Sequence, residues 1–405
     1  MKYKLALLSI STLLSCHSDI QTIRVTNQND FQVRDKLIIV RKVELNNKEG
    51  KKPIVLRSNG KEITSQLLDV DEDASWDQLL FQVTLEARES LDFSVQWLPI
   101  DDYPAYDKQV QVRLGYSQSR DGNFKAIDYS KRGKEHTAQK APYTYQFEGP
   151  GWESNRVAFR SYFDTRNGKD IFGKTTEDIV TEQIGTGENY HSLQDWGMDI
   201  LKVGQSLGAG GLAIQKEDSL IRLGETLSAE FFKVEDGPIY ASFRLIYKGW
   251  DVLGHPYELE ENISIQANKR WYQSDISLKT DINHRNDTLI VGIVNLEEVQ
   301  VDSINYAGIK SLFTHGRQSE NKDILGLGVL VSEANFIAFS QAPKEGIGIT
   351  NSELIALKPF NNTYTFRFYA GWELENSDFS SRDKFRDHLK TAMQNLSARL
   401  EVRID

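Results

Sequence analysis

Two short stretches of this chain carry the residue types that could move a proton and hold a charge. From Arg156 onward the sequence alternates. Val157, Phe159, Ser161 and Phe163 fall on one face of a strand, and Arg156, Ala158, Arg160, Tyr162 and Asp164 on the other, because successive strand side chains take opposite sides. The second face aligns two guanidiniums, a phenol and a carboxylate. That set suits a ligand-facing surface or a ladder of structural ion pairs. Further on, the run from Asn189 to Gly204 gathers Tyr190, His191, Asp195, Trp196, Asp199 and Lys202 between glycines, the composition of a working loop on a rigid β scaffold.

Removing a proton beside a sugar carboxylate, with loss of the C4 substituent, needs three parts. A cation or strong donors must neutralise the carboxylate, a base must reach the C5 proton, and an acid must protonate the leaving oxygen. Arg160 or Arg156 fits the first, His191 the second, and Tyr162 or Tyr190 the third; the catalytic set expected is His191, Tyr162 and Arg160. Glu153, Arg156, Tyr190, Asp195 and Lys202 are expected to contact substrate, with Trp152, Trp196 and Trp372 as platforms for sugar faces. His315, in the turn Thr314-His315-Gly316-Arg317, is the second choice of base with Arg317 beside it; His255 and His284 are the other histidines of the β region. Each tryptophan has a plainer role open to it in the core, and each histidine as a hydrogen-bonded structural residue.

Other chemistries compete for the same residues. A glycosidase needs two carboxylates across a sugar ring, and Glu153, Asp164, Asp195 and Asp199 supply enough of them. His191, Asp195 and Asp199, spaced by fours, would share a helix face and hold a metal, but Gly197 and the neighbouring aromatics speak against a helix there. No metal and no cofactor are expected. Gly208-Ala209-Gly210-Gly211 has no Gly-Lys-Ser/Thr after it and reads as a turn or bulge, and no Gly-x-Ser-x-Gly elbow is present.

The elements that must position these residues are strands. Phe81, Val83 and Leu85, then Leu91, Phe93, Val95 and Trp97, alternate with polar residues, and Leu289 to Val294 is apolar on both faces, as in a strand between two layers. One helix is expected over 381–400, capped by Ser380 with Asp383 three residues on, its stripe formed by Phe385, Leu389, Met393, Leu396 and Leu400. The chain divides into an N-terminal β region over 16–100, a polar connection over 101–140, and a main β region over 141–405.

The first residues read as a lipoprotein signal peptide over 1–15. A basic start, an apolar run from Leu5 to Leu14 and Leu13-Leu14-Ser15-Cys16 fit a lipobox, and Cys16 is the single cysteine. The mature protein is expected in the cell envelope, held to a membrane by lipid on Cys16. The net charge of −10 argues against nucleic acid as a partner, and leaves an acidic oligosaccharide only where a cleft is locally basic.

Gly149-Pro150-Gly151-Trp152-Glu153-Ser154-Asn155-Arg156, Asp170-Ile171-Phe172-Gly173-Lys174, Tyr190-His191 and Asp195-Trp196-Gly197-Met198-Asp199 together resemble one catalogued domain family. It consists of secreted proteins, long described as of unknown function, from bacterial polysaccharide-utilisation genes, and the resemblance covers nearly all of the mature chain. A described member is an ulvan oligosaccharide dehydratase, which removes water from the non-reducing-end uronic acid and leaves a 4,5-unsaturated sugar. The resemblance therefore implies a carbon–oxygen lyase on a galactose-mutarotase-like β-supersandwich, all-β with one C-terminal helix. Fold alone does not fix activity, so a non-catalytic glycan-binding lipoprotein and a glycoside hydrolase remain as alternatives.

Overall fold

Alternating apolar and polar residues run through most of the chain, and it folds almost entirely into antiparallel strands. The computed structural model describes residues 21–71, 73–118, 123–187, 189–281 and 287–405. The expected signal peptide, Cys16 and His284 lie outside them.

The frame is a nine-stranded antiparallel sheet, entered at Tyr129–Gly133 and continued through Ser228–Asp236, Tyr240–Val252, His255–Gln266 and Trp271–Thr280. Tyr364–Trp372, Ile324–Ser332, Ile309–Arg317 and Val301–Tyr306 complete it. Two five-stranded sheets cover one face. One runs Gly197–Asp199, Lys169–Lys174, Val157–Ser161, Gly151–Ser154 and Val110–Arg113; the other is built around Ala209–Lys216, Thr288–Val294 and Ser352–Leu357. A single apolar core joins all three, with Phe159, Leu212, Val291, Tyr272 and Phe368 buried together. This is the expected all-β supersandwich.

Thr288–Val294 is buried on both faces, as its unbroken apolar run requires, and the glycine-rich segment before Leu212 makes the expected bulge between Ala209 and Leu212. The opposite face of the large sheet carries the helix Arg382–Ser397, whose Phe385, Leu389 and Met393 pack on Phe313, Trp271 and Tyr369. Its cap is Ser381, one residue later than expected, accepting from the Lys384 N–H.

Residues 21–99 form a second, smaller sandwich with its own core, in which Ile23, Val25, Phe81 and Phe93 meet. Two departures from the sequence reading stand out. Leu400 does not extend the helical stripe; it starts a strand, Leu400–Ile404, that pairs with Gln21–Asn27 at the edge of this sandwich. Within 117–140, read as a polar connection, Tyr129–Gly133 is a strand of the large sheet.

Candidate functional site

The strand Val157–Ser161 lies between Gly151–Ser154 and Lys169–Lys174, and all five of its residues are buried. Its register sets Arg160 opposite Asp170. On the far side of Lys169–Lys174, the short strand Gly197–Asp199 sets Asp199 opposite Phe172. That approach needs Gly197, at φ +128, because a Cβ there would stand 1.8 Å from the Gly173 carbonyl oxygen. Three neighbouring strands thus deliver an arginine and two carboxylates to one spot.

Arg160 is 2% exposed and joins them. Its Nη2 donates to Asp170 Oδ2 and to Asp199 Oδ2, each at 2.7 Å, and lies 3.0 Å from the Tyr162 hydroxyl. The Tyr162 hydroxyl donates to Asp170 Oδ2 at 2.7 Å. Asp170 Oδ1 also accepts the Ile171 N–H, and Asp199 Oδ1 the Leu201 N–H. His191 stands at the rim, 59% exposed, with Nδ1 3.3 Å from Asp199 Oδ2. The Tyr190 ring packs 4.4 Å from its imidazole and offers its hydroxyl to Arg160 Nη1 at 3.4 Å.

The electrostatics follow from this burial. The hydrogen bond to Asp199 holds the His191 pKa above its ordinary value. Burial, reinforced by the charge of Asp170, lifts the Tyr162 phenol well above its usual range, so it stays protonated at neutral pH. Burial and then the charge of Asp199 raise Asp170.

These groups open onto a cleft of about 640 Å³. Arg166, Lys202 and Arg222 supply cations to its walls. Arg166 stacks on the Tyr162 ring, 3.9 Å from its centre, but is already paired with Asp164 and Glu148. Arg222 is different. Its Nη2 donates only to the Gln205 and Ser206 carbonyls, and it has no carboxylate partner among the described residues. Exposed Lys202 has none either. The arrangement can take up a proton at an Asp-oriented histidine, deliver one from a phenol, and hold an anion on two free cations.

The family model described as a domain of unknown function, DUF4861, matches residues 25–402. The chain belongs to this family. "Uncharacterized protein P7" of Formosa agariphila is 26% identical to it over 233 residues, 53% of this chain and 51% of that protein, so the chain spans about half the length of this curated relative. Two solved structures superpose on 95% of the chain: an alpha-mannosidase from Enterococcus faecalis V583, at 9% identity, TM-score 0.49 and 46% of its length, and a protein in glycosyl hydrolase family 38 from Enterococcus faecalis, at 10%, 0.49 and 47%. Neither likeness assigns an activity.

In this DUF4861 chain the structure brings together His191, Tyr162, Arg160, Tyr190 and Lys202 of the residues expected at a site. Arg160 is placed otherwise than expected: with two carboxylates on it and almost no exposure, it holds the network rather than a substrate carboxylate. Arg156 leaves the site altogether. The strand starts only at Val157, and the Asn155-Arg156 turn carries Arg156 to Glu177, 2.5 Å away, and into another cleft.

Other expected contacts prove structural. Trp152 is fully buried against Phe159, Phe243 and Tyr272, and Trp372 is 2% exposed in the same core, so neither can stack on a sugar. Glu153 is buried too. It pairs with Lys174 at 2.8 Å and accepts the Val180 and Thr181 N–H groups, pinning the loop before Ile184. Trp196 is half-buried with its edge on Phe172, and exposed Asp195 only offers its carbonyl to Thr175; neither lines the cleft. His315 lies under the helix with Nε2 2.8 Å from the Phe379 carbonyl, and Arg317 donates to the Lys322 carbonyl on the surface.

Asp170, Arg166 and Arg222 were not among the expected site residues. One signal for Asp170 was present: a charge beside Ile171-Phe172, inside an apolar strand, must find a buried partner.

Proposed function

We propose that this DUF4861 chain is a carbon–oxygen lyase: a dehydratase that acts on the non-reducing-end uronic acid of an acidic oligosaccharide, such as one from ulvan, and leaves a 4,5-unsaturated sugar. The observation that carries this reading is the Asp199–His191 contact beside a protonated Tyr162, on a floor shared through Arg160. Asp199 holds Nδ1 of the imidazole and leaves Nε2 to take the C5 proton. As the C5–H bond breaks, its electron pair forms the C4–C5 double bond and expels the C4 hydroxyl. Tyr162 gives that oxygen a proton, so it departs as water; the proton taken up by His191 then leaves to solvent at the exposed rim, and the phenolate regains one from water in the cleft. Charge grows on the sugar carboxylate during this step, where Arg222 and Lys202 stabilise it.

Hydrolysis fits less well. Asp170 and Asp199 are buried and bound to one guanidinium nitrogen, not spread across a sugar ring as paired glycosidase carboxylates are. The leader supports placement in the cell envelope through lipid on Cys16; absence of fatty-acid labelling in the expressed protein would end that part of the reading.

The deciding experiment incubates the protein with uronate-ended oligosaccharides and weighs the products. Loss of one water together with ultraviolet absorbance from a conjugated enoate is the expected result. Chain cleavage with the same chromophore would make it a polysaccharide lyase, gain of water a hydrolase, and binding without product a glycan-binding protein.

A further inference from the structure

A second cleft, of about 660 Å³, lies where the outer face of the large sheet, the helix Arg382–Ser397 and the strand Val33–Arg41 converge. Its floor is the cross-strand pairs Trp271–Tyr369 and Gln273–Arg367. Six cations line it: Arg34, Lys36, Arg156, Lys269, Arg270 and Arg367. Two of them are neutralised, Arg156 by Glu177 and Arg270 by Glu375, and Asp35 is the single carboxylate in the lining. Arg34, Lys36, Lys269 and Arg367 have no ion-pair partner among the described residues, inside a chain whose net charge is −10.

Two of these cations also have a structural duty. Lys36 Nζ donates to the Asn395 and Leu396 carbonyls at the end of the helix, and Lys269 Nζ to the Arg34 carbonyl. These bonds hold the three elements together, but carbonyl oxygens leave the charge unneutralised. Arg367 has no such duty. Its guanidinium lies 5.4 Å from the centre of the Trp271 ring, and its Nε is buried with no hydrogen-bond partner. Asp275, two residues along the same face, is occupied by Thr365 Oγ1 and Gln273 Nε2, each at 2.6 Å. Burial lowers the pKa of Lys269 to about 8 and of Arg367 to about 10, only partly offset by the charges of Asp35 and Asp275. Unpaired charge set back from water is costly, and it persists where an incoming ligand completes it.

We propose that this cleft is an anion-binding site that takes the oxyanion of a small ligand, a sulfate ester or a carboxylate, with Arg367 as the central donor and Lys269, Lys36 and Arg34 around it. A guanidinium suits this task because its planar fork can give two parallel hydrogen bonds to one oxyanion. The cleft is concave, and the surrounding protein is acidic. It therefore selects a single anionic group on a small ligand rather than a nucleic-acid backbone. The inference does not depend on the reaction assigned to the His191 cleft.

Calorimetric titration of the full chain with sodium sulfate and with sodium glucuronate, against sodium chloride at equal ionic strength, tests it. Saturable binding of at least one oxyanion is expected in the wild type. Arg367→Gln should weaken it about tenfold or more, the order expected for one charge-assisted contact, and Arg34→Gln, at an exposed position, should weaken it several-fold. The same titrations in an Arg222→Gln background, which removes the anion contact of the other cleft, read this site alone. Tighter sulfate binding assigns a sulfate ester and tighter glucuronate binding a carboxylate. A wild type that responds to neither beyond chloride overturns the proposal. So does binding in the Arg222→Gln background that survives both Arg367→Gln and Arg34→Gln.

Discussion

The two clefts are nearly equal in volume and opposite in electrical design. At the His191 cleft the buried arginine is matched by two carboxylates, Asp170 and Asp199, and a phenol joins the same hydrogen-bond network. At the Arg367 cleft several cations stand together with Asp35 as the one lining carboxylate. A matched network fixes orientations and tunes proton affinities, which is what moving a proton requires. An unmatched one waits for charge from outside. The same residue type, arginine on a strand, serves in one place as a clamp and in the other as a receptor.

This contrast can be broken by experiment. The largest expected effect is at the clamp. Arg160→Met leaves two buried carboxylates unpaired and should cost about 3–5 kcal/mol of stability at pH 8, read by urea unfolding, and abolish turnover. Arg367→Gln should cost nothing or stabilise, because it removes a charge that had no partner. Equal losses in the two variants would show that the charge balance described for the clefts is wrong.

Next come the groups that move protons. His191→Ala and Tyr162→Phe should each lower kcat by roughly 10²–10⁴-fold on a uronate-ended oligosaccharide while leaving folding intact. Arg222→Gln should act on the other parameter and chiefly raise KM, since a free cation holds the substrate before it reacts. Full activity in both His191→Ala and Tyr162→Phe would move the chemistry out of this cleft.

The smallest and most specific effect is a shift in pH dependence. Activity should rise with pH as His191 loses its proton and becomes a base. Asp199 raises the His191 pKa, so Asp199→Asn should lower it and move that rising limb to lower pH, with a reduced plateau from the less firmly held ring. An unmoved limb would detach His191 from Asp199.

The alternation of Val157, Phe159 and Ser161 sufficed to read the strand but misled about its polar face. A period of two separates the faces without saying that one of them meets water, and here both are covered. For that reason Trp152 and Glu153, which looked like site residues in a polar, glycine-rich stretch, turn out to hold the core and a buried ion pair. The His191–Asp199 contact was visible as a spacing but belonged to no helix. A turn closed by the Gln194–Gly197 bridge folds the loop back, and only the pairing of Gly197–Asp199 with Lys169–Lys174 reveals it. Arg222 was illegible, because it comes to the cleft on a strand from a different sheet. Leu400 fitted the helical stripe by count alone, and five residues are too few to announce a strand against that pattern.

That short strand has a consequence for how the molecule is made. Thr22 and Asp405 exchange backbone hydrogen bonds, 3.1 Å in one direction and 2.9 Å in the other, and Ile23 pairs with Ile404. The small N-terminal sandwich, though synthesised first, keeps one sheet edge unpaired until residues from the far end of the sequence arrive. Closing so long a loop is slow, and an open strand edge invites pairing with the wrong chain while it waits. The small sandwich is therefore expected to close late, once the strand Leu400–Ile404 has been made and has sealed the edge of Gln21–Asn27.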